Sequence, residues 1–160
     1  MTDSLRNEFT RQIESNRGII FKVLRLYVNR GEDEKDLYQE IVYQAWKSYP
    51  RFAGQSKFST WLYKVSLNTV LTFKRRPLLV ETREVLESKE VVTNDRQEDS
   101  EMLYRAITEL NEIDRMIITL HLDGYDNDEI ADVSGLTKNH VAVKLHRIKD
   151  GLVKKLREEV

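Results

Sequence analysis

Cysteine is absent from this sequence, and glycine and proline are scarce, at 6 and 2 of the 160 residues. Without cysteine the chain can form no disulfide framework, no cysteine-ligated zinc site and no thiol nucleophile. No segment approaches the roughly 20 apolar residues that span a membrane, and charges at Asp3, Arg6 and Glu8 interrupt the start of the chain, so we expect no signal peptide. These absences favour a helical protein of the cytoplasm.

Charges of one sign are concentrated in segments, although the formal net charge is only −1. Residues 57–76 carry five bases and no acid, residues 81–101 carry eight acids against three bases, and residues 138–155 carry six bases against one acid. Two basic regions therefore flank an acidic one. Such segregation favours an anionic partner, for example nucleic acid, for the basic regions.

The hydrophobic pattern predicts an all-α protein of two small helical domains joined by a flexible linker. Apolar residues recur at helical spacing in residues 1–76 and again in residues 100–160. In residues 77–99 they are too few and too scattered among charges for a core-facing element, so we assign this segment as the linker.

Local signals predict where the helices of the first domain begin and end. Asp33 is a candidate N-cap for a helix that continues to about Ser48 and stops before Pro50. A loop containing glycine follows, and Ser59 or Thr60 is predicted to cap the next helix, which finishes in a run of bases.

Residues 126–141 have the spacing of a helix-turn-helix. Asp126 and Glu129 form a capping-box-like start, Gly135 suits a turn with positive φ, and Thr137 can cap the second helix. The side chains predicted to face inward are Ile130, Val133, Val141, Leu145, Ile148, Leu152 and Leu156.

The second of these helices carries residue types that suit a DNA major groove, because they can donate hydrogen bonds to base edges and phosphates. The predicted DNA-binding residues are Thr137, Lys138, Asn139, His140, Lys144 and Arg147. The alternative is a solvated amphipathic helix whose charges only aid solubility.

Three blocks of residues, taken in order, resemble the extracytoplasmic-function (ECF) group of bacterial RNA polymerase sigma factors. They are residues 36–40 with 45–46, residues 52–63 with Asn68, and the helix-turn-helix preceded by residues 110–115. The resemblance covers nearly the whole chain. It implies an alternative sigma factor that binds core RNA polymerase and directs initiation at promoters with minus-10 and minus-35 elements.

The resemblance also implies the partners. The first block would dock on the clamp coiled coil of the polymerase β′ subunit, and the β flap is the second expected contact on the enzyme. An anti-sigma factor, often attached to the inner membrane, would cover the polymerase-binding faces. No cofactor and no small-molecule substrate is implied. The residues implied in core binding are Asp36, Leu37, Gln39, Glu40, Tyr43 and Trp46.

The second block is implied in minus-10 recognition and strand opening, since a loop beside a basic, aromatic-rich helix can hold an unstacked base. The residues are Phe52, Ala53, Gly54, Gln55, Ser56, Lys57, Trp61, Lys64 and Asn68. We expect Trp61 to support the loop, and Asn68 either to contact DNA or to form an internal hydrogen bond. The first base after Asn68 is Lys74, later than in many relatives.

The sequence contains no motif that is typical of an enzyme active site. His121, His140 and His146 have no metal-binding spacing, and residues 123–129 fail the pattern of a calcium loop. There is no phosphate-binding glycine-rich loop and no nucleophile elbow, so we expect no catalysis and no metal. The alternatives left open are a stand-alone helix-turn-helix regulator that binds DNA as a dimer, and an interaction module without a DNA role.

Overall fold

In the computed structural model the described residues are 3–28, 31–52, 54, 56–75 and 95–158. These residues form eight α-helices and no strand, and they divide into two compact units, Met1–Leu86 and Glu87–Val160. The prediction of an all-α protein with two small helical domains is confirmed. Within the described ranges, no helix is long and apolar enough to cross a lipid bilayer.

The first unit consists of α1 (Asp3–Ser15), α2 (Arg17–Tyr27), α3 (Gly31–Phe52) and α4 (Phe58–Arg75). Helix α4 packs against both α2 and α3, while α1 contacts α2 and α3. The interior is aliphatic, and its fully buried members include Ile20, Val23, Leu24, Ile41, Leu62 and Val70. Burial of their apolar surface is the main term that stabilises the unit.

Helix α3 is longer than the sequence signals predict. It begins at Gly31, so Asp33 lies in its first turn and is not the N-cap, and it continues through Pro50 to Phe52. Proline costs a helix one hydrogen bond and a steric clash, but Pro50 stands only two residues from the helix end. Aromatic contacts made by Tyr49 and Phe52 with α4 stabilise this last turn, which local signals cannot reveal.

Helix α4 also begins earlier than predicted. Its first residue is Phe58, and the N–H of Trp61 donates to the carbonyl oxygen of Lys57 at 3.1 Å. Ser59 and Thr60 therefore lie inside the first turn, and neither is the cap. Thr60 is buried, because the tertiary packing of α4 places it against the interior.

The second unit consists of α5 (Asp95–Thr108), α6 (Glu112–Leu122), α7 (Asn127–Ser134) and α8 (Lys138–Glu158). Helix α8 packs against the other three. Residues 95–99 were predicted to be the end of the linker, but they belong to α5. Acidic residues near the start of a helix interact favourably with the helix dipole. A high density of acidic residues is therefore not sufficient evidence for a linker. The remainder of the predicted flexible linker, residues 77–94, lies outside the described residues.

Candidate nucleic-acid interface

The first helix of the helix-turn-helix is capped by its own sequence. The N–H of Glu129 donates to Asp126 Oδ1 at 2.9 Å, and the Glu129 carboxylate accepts from the N–H of Asp126 at 3.1 Å. The predicted capping box is thus confirmed. It satisfies two backbone donors that a helix start otherwise leaves unpaired, and so fixes where α7 begins.

The turn between α7 and α8 also forms as predicted. Gly135 has φ of 81°, a left-handed conformation that only glycine adopts without steric cost. Thr137 Oγ1 accepts a hydrogen bond from the N–H of His140 at 3.1 Å, which caps α8. The angle between the two helices is therefore set by a glycine turn and a side-chain cap.

The inward face of this motif matches the prediction as far as Leu152. Ile130 and Val133 of α7 are buried, and so are Val141, Leu145, Ile148 and Leu152 of α8. Leu156 is only half-buried, because α8 is longer than the helices against which it packs. The buried stripe leaves the opposite face of α8 turned outward.

Five of the six predicted DNA-binding residues are exposed: Thr137, Lys138, Asn139, His140 and Arg147. The exception, Lys144, is half-buried, with its Nζ 3.5 Å from Asp114 Oδ1 and side chains that are 26% and 22% exposed. Lys138 pairs with Asp128 at 3.3 Å, and both side chains are well exposed. Lys144 is thus directed toward α6, whereas Asn139, His140 and Arg147 face solvent.

The partner of Lys144 belongs to the start of α6. Asn111 caps this helix by accepting from the N–H of Asp114 at 2.9 Å, and its Nδ2 donates to Asp114 Oδ2 at 3.2 Å. Arg115 donates to the carbonyl oxygens of Thr108 and Leu110 at 2.8 and 3.0 Å. This network connects the α5–α6 turn to α8.

Three exposed residues of α8 were missed by the sequence reasoning. They are Ala142, Val143 and His146, which share the outward side with Asn139 and Arg147. Spacing of three, four and seven residues from Asn139, which places all three on its side of the helix, was the available signal. The His146 imidazole lies 3.4 Å from the Asp150 carboxylate one turn later.

In the first unit, six aromatic side chains surround the ends of the predicted base-binding loop. We call them the ring cluster: Phe9, Trp46, Tyr49, Phe52, Phe58 and Trp61. Phe52 precedes the loop and Phe58 follows it, and their ring centroids are 5.8 Å apart in an edge-to-face arrangement. Trp61 contacts both rings, at 5.0 and 5.3 Å. Aromatic pairs of this kind stabilise a structure by more than the burial of their apolar area alone. The ring contacts therefore hold the two ends of the loop together.

Within this loop the structure describes Gly54, Ser56 and Lys57. Gly54 is exposed and has φ of 67°, again a conformation that favours glycine. Ser56 is half-buried and Lys57 is exposed. The predicted contacts of Ala53 and Gln55 lie outside the described residues.

One face of α4 continues from the loop. Trp61, Lys64 and Asn68 follow one another at spacings of three and four residues, which places them on successive turns of the same face. Asn68 is exposed, so it does not form the buried internal hydrogen bond that was the alternative. Thr72 and Arg75 extend this face and are exposed. Arg75 follows Asn68 two turns later and belongs to the run of bases predicted at the end of this helix.

The residues predicted to bind core polymerase divide into two groups on α3. Asp36, Gln39 and Tyr43 are exposed and share one face, while Leu37 is buried. Trp46 belongs to the ring cluster, 5.0 Å from Phe9. The half-buried side chains of Glu40 and Gln44 are hydrogen-bonded at 2.7 Å, and Lys47 lies 5.3 Å from the centre of the Tyr43 ring.

Two titratable groups are perturbed by their surroundings. Burial, followed by the hydrogen bond that its hydroxyl donates to Glu8 Oε1 at 2.9 Å, raises the pKa of Tyr49. Burial, followed by the positive charge of Lys149, lowers the pKa of His121. Neither group faces a cluster of acids or histidines that could hold a metal, and the described part of the chain contains no such cluster.

Comparison with known proteins gives the two units a family context. The Sigma-70 region 2 family matches residues 12–77, and the Sigma-70 region 4 family matches residues 100–150. The ECF RNA polymerase sigma-E factor of Escherichia coli is 31% identical over 147 residues, covering 81% of this chain and 76% of that protein. The chain belongs to the ECF family of RNA polymerase sigma factors.

A further relative of this ECF chain is the ECF RNA polymerase sigma factor SigG of Mycobacterium tuberculosis. It is 35% identical over 118 residues, which cover 61% of this chain and 32% of that protein. The match thus spans about a third of the SigG length.

Solved structures of low sequence identity share the fold. The sigma factor RpoE in complex with the anti-sigma factor NepR, from Bartonella quintana, aligns with a TM-score of 0.66 at 17% identity over 98% of each chain. CnrH, in complex with the cytosolic domain of CnrY, aligns with a TM-score of 0.71 at 17% identity over 97% of this chain and 91% of CnrH.

Proposed function

We propose that this chain is an alternative sigma factor that binds core RNA polymerase and directs transcription initiation at promoters with minus-10 and minus-35 elements. The observation that carries the proposal is the order of its parts: a region 2 match with a ring-bounded loop, then a region 4 match with a capped helix-turn-helix. A single helix-turn-helix would support any DNA-binding regulator. The region 2 match of the first unit favours a sigma factor over a stand-alone regulator.

The outward face of α8 is the proposed minus-35 surface. Asn139, His140 and Arg147 supply amide, imidazole and guanidinium groups, all exposed, and these groups can bond to base edges and phosphates in the major groove. Thr137 and Lys138 lie at the start of α8, where phosphate contacts are expected. We assign Lys144 a structural role instead of a DNA contact, since its ion pair with Asp114 connects α8 to α6.

The loop of residues 53–57 and the adjoining face of α4 are the proposed minus-10 surface. An unstacked base could enter the loop, and the cost of unstacking, a few kcal/mol, must be offset by contacts there. Lys64 and Asn68, with Arg75 farther along, would follow the single strand. The ring cluster keeps the loop ends in place, which supports a role of Trp61 in holding the loop rather than in touching the base.

The exposed face of α3 is the proposed contact with the β′ clamp coiled coil. Asp36 and Gln39 offer polar groups and Tyr43 an exposed ring, a composition that suits a basic partner surface. Leu37 and Trp46 are buried or packed, so they would support this face from within. The second unit would contact the β flap.

An anti-sigma factor is the proposed inhibitor. Two relatives of similar fold were solved in complex with NepR and with the cytosolic domain of CnrY. A partner of this kind would cover the polymerase-binding faces. We place the protein in the cytoplasm, with an anti-sigma factor as the link to the inner membrane.

The proposed mechanism consists of binding alone, without a catalytic step or a cofactor. Each DNA surface can be weak because the polymerase holds both units, which raises the effective concentration of the second contact once the first has formed. Bipartite promoter recognition follows from this linkage.

Transcription in vitro tests the proposal. Bacterial core polymerase is incubated with sheared genomic DNA, with and without the protein, and transcript starts are mapped by sequencing. We expect new starts that share two spaced upstream elements. Asn139→Ala should reduce these starts by roughly 5- to 150-fold, the effect of one base contact of about 1 to 3 kcal/mol. Val153→Ala, an exposed change farther along α8, should not reduce them.

Folded protein that gives no new starts would contradict the sigma reading. In that case, tight binding to duplex DNA without polymerase would identify a stand-alone regulator, whose half-sites lie about one helical turn apart. Absence of both activities would favour an interaction module.

A further inference from the structure

Val143 is an aliphatic side chain on the outward side of α8. It is 47% exposed, and it lies one turn after Asn139 and one turn before Arg147, since residues four apart share a helix face. Both neighbours are exposed. An apolar group therefore sits between an amide and a guanidinium on the surface proposed to face DNA.

Packing does not account for Val143. The interior of the second unit is filled from α8 by Val141, Leu145 and Ile148, all buried, and these point away from Val143. Valine is also a poorer helix former than alanine, because its branched side chain is restricted in a helix. At this exposed position valine contributes little to the core and slightly disfavours the helix.

The major groove offers one apolar group, the 5-methyl of thymine, among hydrogen-bonding atoms. Asn139 and Arg147 match the hydrogen-bonding atoms, and Val143 matches the methyl. We propose that Val143 recognises a thymine methyl group in the upstream promoter element and thereby helps to set the promoter preference of this protein. This inference rests on the proposed function.

The surroundings of Val143 favour DNA over a hydrophobic protein partner. Ala142 is a small exposed neighbour, and His146 is polar and exposed one turn later, so the apolar area is limited to about one side chain. Protein contacts of this kind are usually built around a larger apolar centre. The region is also basic, with six bases against one acid in residues 138–155, which suits an anionic groove.

Replacement of thymine by uracil tests the inference, because uracil keeps the hydrogen-bonding atoms and lacks only the methyl. A promoter mapped by transcription is prepared with single thymine-to-uracil changes across its upstream element. Binding of the reconstituted holoenzyme is measured by competition for wild-type protein, Val143→Ala and Val153→Ala. Val153 is the matched control, since it is 48% exposed on the same helix but lies about 15 Å farther along.

We expect one thymine at which uracil weakens binding roughly fourfold, the effect of about one methyl group, for wild-type and Val153→Ala. For Val143→Ala the uracil and thymine promoters should bind equally. Because Val143→Ala removes no core contact and alanine is the better helix former, its thermal unfolding should occur at the wild-type temperature or slightly above it.

Two results would overturn the inference. One is a promoter whose upstream thymines all tolerate uracil; the other is a uracil penalty that persists in Val143→Ala. Failure of the proposed function is distinguishable, because core polymerase with this protein would then give no new transcript starts from which a promoter could be mapped, and both proposals would fall.

Discussion

Two glycines of the second unit have different backbone conformations, so alanine should have opposite effects on stability at the two positions. Gly135 has φ of 81° between α7 and α8, whereas Gly151 lies inside α8, and a Cβ at either position would meet no atom within 4 Å. We expect Gly135→Ala to lower the free energy of unfolding by about 1 to 2 kcal/mol, the cost of a left-handed residue with a side chain. Gly151→Ala should raise it by up to about 1 kcal/mol.

Urea unfolding followed by circular dichroism measures both changes. Because neither alanine meets a steric obstacle, each variant serves as the control for the other. Equal effects of the same sign would show that backbone conformation does not govern these two positions.

His121 makes the stability of the second unit depend on pH. Its folded-state pKa is lowered below 6.5, first by burial and second by Lys149. A lowered pKa means that the unfolded chain binds the proton more readily, so the contribution of His121 is present above about pH 6.5 and is lost as the pH falls through the folded-state pKa.

Unfolding experiments between pH 7.5 and 5 measure this dependence. We expect the free energy of unfolding to fall with acid and His121→Gln to remove part of that fall. Lys149→Gln should make this loss smaller and end it at a higher pH, since it removes the second cause and brings the folded-state pKa of His121 closer to that of the unfolded chain. A slope that His121→Gln leaves unchanged would assign the pH dependence to other groups.

At the scale of the helix, two cations of α8 differ in what they face. Arg147 is exposed, and Lys144 is paired with Asp114 of α6. If Arg147 contacts a phosphate, Arg147→Gln should lower the salt slope of promoter binding by about 1, as one lost phosphate contact does. Lys144→Gln should leave that slope unchanged and cost on the order of 1 kcal/mol of stability, because Asp114 loses its cationic partner and keeps only Asn111.

Holoenzyme binding at a series of salt concentrations gives the slopes, and thermal unfolding of the free protein gives the stability. Lys154→Gln, an exposed change near the end of α8, is the control. A reduced slope with unaltered stability for Lys144→Gln would instead make Lys144 a phosphate ligand.

The helix-turn-helix could be predicted in detail because its determinants are local. Asp126 and Glu129, Gly135 and Thr137 each act within three or four residues of their own position, so sequence order alone places them. The exposure of Asn139 and Arg147 could be predicted for the same reason, because the helical spacing of α8 places them opposite its buried residues.

Other features depend on residues distant in sequence, and the sequence therefore predicted them poorly. The end of α3 at Phe52 depends on rings of α1 and α4, which no local signal announces. The burial of Lys144 depends on Asp114 of another helix. Predictions failed where a tertiary contact overrides a local preference.

At the scale of the whole molecule, each unit has its own buried core. Leu62 lies in the first and Ile117 in the second, each with 0% exposure. We expect Leu62→Ala and Ile117→Ala each to destabilise its own unit by about 2 to 5 kcal/mol. Hydrogen exchange measured peptide by peptide should show faster exchange only in the unit that carries the change.

A stabilising substitution provides the matched test. Gly18→Ala, at an exposed position near the start of α2 where a Cβ meets no atom within 4 Å, should slow exchange in the first unit alone. Loss of protection in both units after a single core substitution would show that the two unfold as one cooperative body.

The ring cluster gives the protein a built-in optical probe. The chain contains 2 tryptophans, Trp46 and Trp61, and both belong to this cluster at the base of the loop. Tryptophan emission from this protein therefore reports on the first unit alone, because the second unit contains no tryptophan. In the free protein, a change in emission on addition of single-stranded minus-10 DNA would report entry of that strand into the loop, without a label attached to either molecule.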